Sequence, residues 1–203
     1  MKANGNYSKL EKIYKKNGGC ISHKDIAKAG IPSWFLYEFV KRKRLEKFAP
    51  GFYAGSSCFP DDYYILQMRY PKYIFADMSA LYLHHLTDRI PSYIEVVCPQ
   101  SYNPSRKRID LLRIRKISSS DVYTLGIGEA STMFGNKVKV YDRERTICDL
   151  IKYRDKYDAE TFIKAIRFYA KSQPNTIKLM DYAEQMGIEK KVFEVMEIVM
   201  NED

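Results

Sequence analysis

Apolar positions in the first 60 residues follow helical spacing three times and then switch to an extended pattern. In residues 7–17, Leu10, Ile13 and Tyr14 stand at i, i+3 and i+4, with Lys9, Glu11, Lys12, Lys15 and Lys16 around them. That spacing predicts an amphipathic helix, stopped by Gly18 and Gly19. Cys20 and Ile21 read as a brief extended link. Ser22 with Asp25 three residues later is close to a capping box and predicts a short second helix. This helix turns Ile26 and Ala27 inward and ends near Ala29 and Gly30. Gly30-Ile31-Pro32 then supplies a tight turn. Ser33 is expected to cap a third helix running to about Lys43, with Leu36, Phe39 and Val40 facing the first two helices. Its opposite face carries Ser33, Trp34, Tyr37, Glu38, Lys41 and Arg42. Residues 45–49 and 52–54 flank Pro50-Gly51 and read as a β-hairpin. Two short helices joined by a few residues and followed by a hairpin describe a winged helix-turn-helix, whose second helix enters a DNA major groove.

Beyond Gly55, a seam of Gly, Ser and Pro through Pro60 predicts a module boundary near residue 58. Helices are expected over residues 61–69 and 77–86, and strands over 93–98, 109–117, 122–126 and 138–141. From Asp142, a capping residue, the pattern is helical: a first helix, then 159–171, 176–186 and 190–200. The expected fold class is α+β: an N-terminal winged helix-turn-helix (residues 1–58), then a larger α+β domain with C-terminal helices (59–203).

Charge sharpens this picture. Residues 1–58 hold 12 Lys and Arg against 4 Asp and Glu, so nearly the whole net charge of +9 sits at one end. Such a field attracts a polyanion, and DNA or RNA is the usual one. A cationic run such as Lys41, Arg42, Lys43 and Arg44 is commonly a solvated helix end favoured by the helix dipole. The helix pair before it and the hairpin after it turn the reading toward DNA. Lys47 on the hairpin is within reach of a phosphate. Trp34 has two roles open to it, contact with DNA or packing beneath the hairpin. A second basic stretch, Arg106, Lys107, Arg108, Arg113, Arg115 and Lys116, is either a further DNA-facing surface or a solvated strand balanced by acidic neighbours. The second alternative is favoured.

Little points to enzymology. Gly126-Ile127-Gly128 lacks the further glycines and the Lys-Ser/Thr of a phosphate loop. Cys20, Cys58, Cys98 and Cys148 form no Cys-x-x-Cys pair, and with His23, His84 and His85 they give no zinc spacing. His84 and His85 fall inside an apolar helix. The chain is therefore expected to be no enzyme, with no catalytic residues, metal or cofactor. No apolar run approaches the roughly 20 residues of a membrane span. The first residues lack the apolar core of a signal peptide. A cytoplasmic protein with no membrane partner is expected.

Three stretches carry a family resemblance. One is the N-terminal pattern, from the capped helix over residues 22–29 through the basic helix to Gly51-Phe52-Tyr53. Another is Ser79-Ala80-Leu81-Tyr82-Leu83-His84-His85-Leu86-Thr87-Asp88, followed by Ile90-Pro91. The last is Asp142-Arg143-Glu144-Arg145-Thr146-Ile147-Cys148-Asp149-Leu150. Together they cover about three quarters of the chain, which resembles the AbiE-type antitoxins. These are the repressor half of bacterial type IV toxin–antitoxin systems of abortive infection and phage defence. Lys43 departs from the pattern, since relatives often show Gly after the recognition helix. The resemblance implies a protein that binds inverted repeats in its own promoter and represses its operon. Its C-terminal domain would oppose a nucleotidyltransferase-like toxin without a stable complex, and a monomer in solution suffices. Glu144, Arg145, Thr146 and Asp149 match the shared motif, where they either serve antitoxin function or cap and brace the domain. The alternative is a ligand-responsive transcription factor without a toxin partner.

Overall fold

The computed structural model describes residues 2–55, 61–103 and 111–200. The chain divides into two compact units. The first comprises Met1–Pro71 with Thr132–Asn136, the second Lys72–Ser131 with Lys137–Asp203. The expected seam at Ser56, Ser57, Cys58, Phe59 and Pro60 lies outside the described residues, and the first unit runs on to Pro71. Among the described residues no helix is long and apolar enough to cross a membrane.

The first unit opens with α1 (Lys2–Lys16), β1 (Cys20–Ser22), α2 (His23–Lys28) and α3 (Ser33–Lys43). It continues with β2 (Glu46–Ala49), β3 (Phe52–Ala54) and α4 (Asp62–Arg69). The three strands form an antiparallel sheet in the order β1-β3-β2. The link at Cys20 and Ile21 is thus a paired strand, because β3 supplies its hydrogen bonds from 30 residues further on. Ser22 and Asp25 form a full capping box, which satisfies amide donors at the start of α2. Ile26 is buried but Ala27 is exposed, contrary to expectation, since a six-residue helix turns one narrow stripe inward. Leu10, Ile21, Ile26, Ile31, Phe35, Leu36 and Phe39 make one continuous core. Residues Tyr64 and Ile65 of α4 pack on Cys20, Phe52 and Ala54 beside it.

The second unit contains β4 (Ile74–Phe75), α5 (Asp77–Leu83), β5 (Ile94–Pro99), β6 (Leu112–Ile117) and α6 (Ser120–Thr124). After these come β7 (Ile127–Ser131), β8 (Lys137–Tyr141) and the helices α7 (Arg143–Lys152), α8 (Ala159–Lys171), α9 (Thr176–Gln185) and α10 (Glu189–Met200). A mixed five-stranded sheet runs β6-β5-β4-β8-β7. Its β4–β8 and β5–β6 pairs are parallel, and β4–β5 and β7–β8 are antiparallel. The protein is therefore α+β with C-terminal helices. Ile147, Cys148, Leu150 and Ile151 of α7 lie within the core formed with α8, α9 and α10.

Two expectations fail here. The strand expected at 122–126 is helix α6. Ser119 accepts a hydrogen bond from the Val122 amide and starts a helical turn, overriding the β-prone Val122-Tyr123-Thr124. Gly126, at φ 74°, then leads into β7, and a Cβ there would stand 2.6 Å from the Cβ of Arg145. His84 and His85 are not inside a helix either, because α5 ends at Leu83 and His85 adopts φ 57°.

The His84 Nε2 donates to the Tyr141 carbonyl at 2.7 Å, and burial lowers the ring's pKa below 6.5. Unfolding then takes up a proton between the depressed value and 6.5, so stability falls as pH drops through that window. Urea denaturation at about pH 7.5 and 5.5 is expected to show a lower midpoint in acid, with a smaller drop in His84→Gln.

Candidate nucleic-acid interface

Helix α3 begins after Pro32, whose N-cap position provides no side-chain hydrogen bond. Ser33 is the first helical residue rather than the cap, because proline's fixed φ already sets the helical entry. Phe35, Leu36 and Phe39 are buried and Val40 is half-buried. The opposite face is open. Trp34 is 54% and Tyr37 57% exposed, and Ser33, Glu38 and Lys41 are exposed beside them. Trp34, Tyr37 and Lys41 stand at i, i+3 and i+7 and form a single stripe, flanked by Ser33 and Glu38. Trp34 does not pack beneath the hairpin. Its ring stacks on Phe35 with centroids 3.7 Å apart.

The cationic run at the end of α3 splits in two. The Arg42 guanidinium lies over the Tyr7 ring at 4.7 Å. The Lys43 ammonium sits 2.9 Å from Glu11, a hydrogen bond that raises its pKa above the ordinary value. Both side chains are thus turned to α1, where Tyr7 and Tyr14 meet Phe39 at 5.2 and 5.6 Å. All five cations, Lys41, Arg42, Lys43, Arg44 and Lys47, are exposed, so the run divides by the contacts that Arg42 and Lys43 make with α1 and not by access to solvent. The four cations looked equivalent in sequence, and only the packing of α1 on α3 separates them.

Arg44 caps α3 at φ 53° and ψ 44°. A non-glycine residue in this left-handed region carries roughly 1–2 kcal/mol of strain. Arg44→Gly is therefore expected to raise stability by about 1 kcal/mol in urea denaturation while weakening any phosphate contact the guanidinium makes. Stability and polyanion affinity moving in the same direction would contradict this assignment.

His23, outside the sequence-based set, proves central. Its amide donates to the Gly51 carbonyl at 2.8 Å, and its ring meets Tyr37 edge-on at 5.6 Å. Gly51 has φ 71°, and a Cβ there would approach the His23 ring to 2.9 Å. The β2–β3 turn, the start of α2 and the outer face of α3 therefore share one contact point. The capping box made His23 the first residue of α2, but nothing local indicated the turn 28 residues later.

In the second unit the four motif residues are buried on α7, and of them Arg145 and Asp149 meet each other. Arg145 Nε donates to Asp149 at 3.3 Å. Its Nη1 donates to the carbonyls of Val122 and Leu125 at 2.6 and 2.9 Å, and its guanidinium lies 4.2 Å over Tyr141. Thr146 Oγ1 donates to the carbonyls of Tyr141 and Asp142. Glu144 accepts from the Tyr169 hydroxyl, and Lys178 lies 3.4 Å from its carboxylate. Arg115 turns inward to Asp149 and Asp77 at 2.9 and 3.0 Å. Burial opposes its charge, but the two carboxylates more than offset this and raise its pKa. Of the other cations in the second basic stretch, Arg113 stacks over Tyr93 and lies 3.8 Å from Glu95, and Lys116 donates to Asn103. Arg106, Lys107 and Arg108 lie outside the described residues. Among the described residues no group of three or more His, Cys, Asp or Glu side chains is arranged to hold a metal ion.

No known protein family matches the chain, and no curated protein is similar to it in sequence. Among solved structures it is similar to the RV2827C protein from Mycobacterium tuberculosis. The identity is 11% and the TM-score 0.49, over 86% of this chain and 69% of that one.

Proposed function

We propose that the first unit is a winged helix-turn-helix that binds double-stranded DNA, with α2 and α3 as the helix pair and β2–β3 as the wing. The observation that carries this reading is the open stripe of α3, made by Trp34, Tyr37 and Lys41, with Arg44 exposed at the helix C-cap and Lys47 exposed on β2. In a helix-turn-helix the outer face of the second helix is the one that lies in the major groove. The excess charge of the N-terminal end supplies the long-range attraction to phosphates.

The resemblance of the three sequence stretches to AbiE-type antitoxins extends the proposal to biology. The protein represses its own operon by binding promoter inverted repeats, and its second unit opposes a nucleotidyltransferase-like toxin in a type IV system. In that reading Arg145, Thr146 and Asp149 act by bracing α7 against the sheet, and Glu144 by bracing it against α8 and α9. The test pairs two assays. Full-length protein should retard the duplex upstream of its own gene in a gel shift, and its co-expression should restore growth arrested by the neighbouring gene. Retardation without rescue would leave a repressor with no toxin partner, and failure of both assays would refute the proposal.

A further inference from the structure

The side chains on the open stripe restrict what kind of base sequence α3 can read. In the major groove, guanine is read by bidentate Arg or Lys, and adenine by bidentate Asn or Gln. The thymine C5 methyl is the apolar group on a base edge, and it is met by apolar side chains. The stripe presents no Asn, Gln or Arg: Arg42 is held over Tyr7 and Lys43 by Glu11. In their place it offers two large rings, each more than half exposed.

Both rings are anchored. Trp34 lies nearly parallel to Phe35, at 25° and 3.7 Å, and Tyr37 is held edge-on by His23 at 5.6 Å. Anchored rings lose little conformational freedom on binding, and their surface is apolar except at the indole N–H and the phenol hydroxyl. We infer, building on the DNA-binding proposal above, that Trp34 and Tyr37 are specificity-determining residues. They recognise thymine methyl groups and direct the protein to operator half-sites with thymines at the centre of the α3 footprint. Lys41 at the end of the stripe supplies a neighbouring phosphate or guanine contact.

The test leaves the protein unaltered. Duplexes bound by the full-length chain are selected from a random pool, and each thymine of the selected site is replaced singly by uracil, which removes only the methyl group. At two or more adjacent positions affinity should fall about fourfold each, the factor to which burial of one carbon group converts. The Trp34→Ala, Tyr37→Ala double variant should bind uracil and thymine duplexes alike. Its melting temperature should fall by several degrees, because each side chain loses one ring contact, and the protein should remain folded. Equal binding of uracil and thymine duplexes by the native protein, with Lys41→Ala still weakening both, would overturn the inference and leave DNA binding intact. Failure to enrich any duplex would overturn the inference together with the proposal beneath it.

Discussion

Arg145→Ala should destabilise the second unit by about 3–5 kcal/mol, the range found when one partner of a buried ion pair is removed. The side chain is fully buried, and its loss strands several groups at once. The carbonyls of Val122 and Leu125 lose their donor, and Asp149 keeps only Arg115 as a cationic partner. The space left under Gly126, where the Arg145 side chain now packs, adds a cavity penalty. Thermal unfolding followed by circular dichroism should show the melting temperature lowered by roughly 10 °C or more. A loss below about 1 kcal/mol would mean that desolvation already cancels the worth of the network. The motif would then need a role other than bracing.

The triple variant Lys41→Ala, Arg44→Ala, Lys47→Ala should lose promoter affinity on the order of a hundredfold at 0.1 M salt. Each phosphate neutralised by a cation contributes about 0.9 to the slope of log affinity against log salt, so three lost contacts lower it by about 2.7. Arg42→Ala and Lys43→Ala serve as internal controls. Both cations stand within two residues of Lys41 but lie against Tyr7 and Glu11 of α1, and removal of each should lower the slope by less than the roughly 0.9 of a full phosphate contact. Fluorescence-anisotropy titrations between about 50 and 200 mM salt span the range in which such slopes are read. An equal loss of slope for Arg42→Ala, Lys43→Ala and each of the three other changes made singly would contradict the assignment of the phosphate contacts to Lys41, Arg44 and Lys47.

The contrast between these two sites shows what a linear reading can reach. Helices α3, α8 and α10 were legible because their apolar residues repeat at helical spacing. Ser22 and Asp142 were legible as caps, and each accepts from an amide three residues on. Strand β1 was not legible, since three residues carry no period and its partner β3 lies far along the chain. The two-residue β4 left no signal for the same reason. The start of α5 depends on Glu95, which accepts a hydrogen bond from the Met78 amide across 17 residues.

The candidate interface divides along the same line. Which side of α3 faces outward follows from periodicity. Which of its cations lie against α1, and that His23 joins Tyr37 to the Gly51 turn, depends on tertiary contacts. In the second unit, Arg115 was read as part of a solvated strand balanced by acidic neighbours; it has those neighbours in Asp77 and Asp149, but its side chain is turned inward between them.

Trp34 is the only tryptophan in the chain and stands at the centre of the proposed groove-facing stripe, so the native protein carries its own reporter. Titrating full-length protein with its promoter duplex should quench or shift the Trp34 emission with the same midpoint as the anisotropy change, and added salt should reverse both. An emission spectrum that stays constant while anisotropy reports a bound duplex would put the DNA on some other surface and contradict the account.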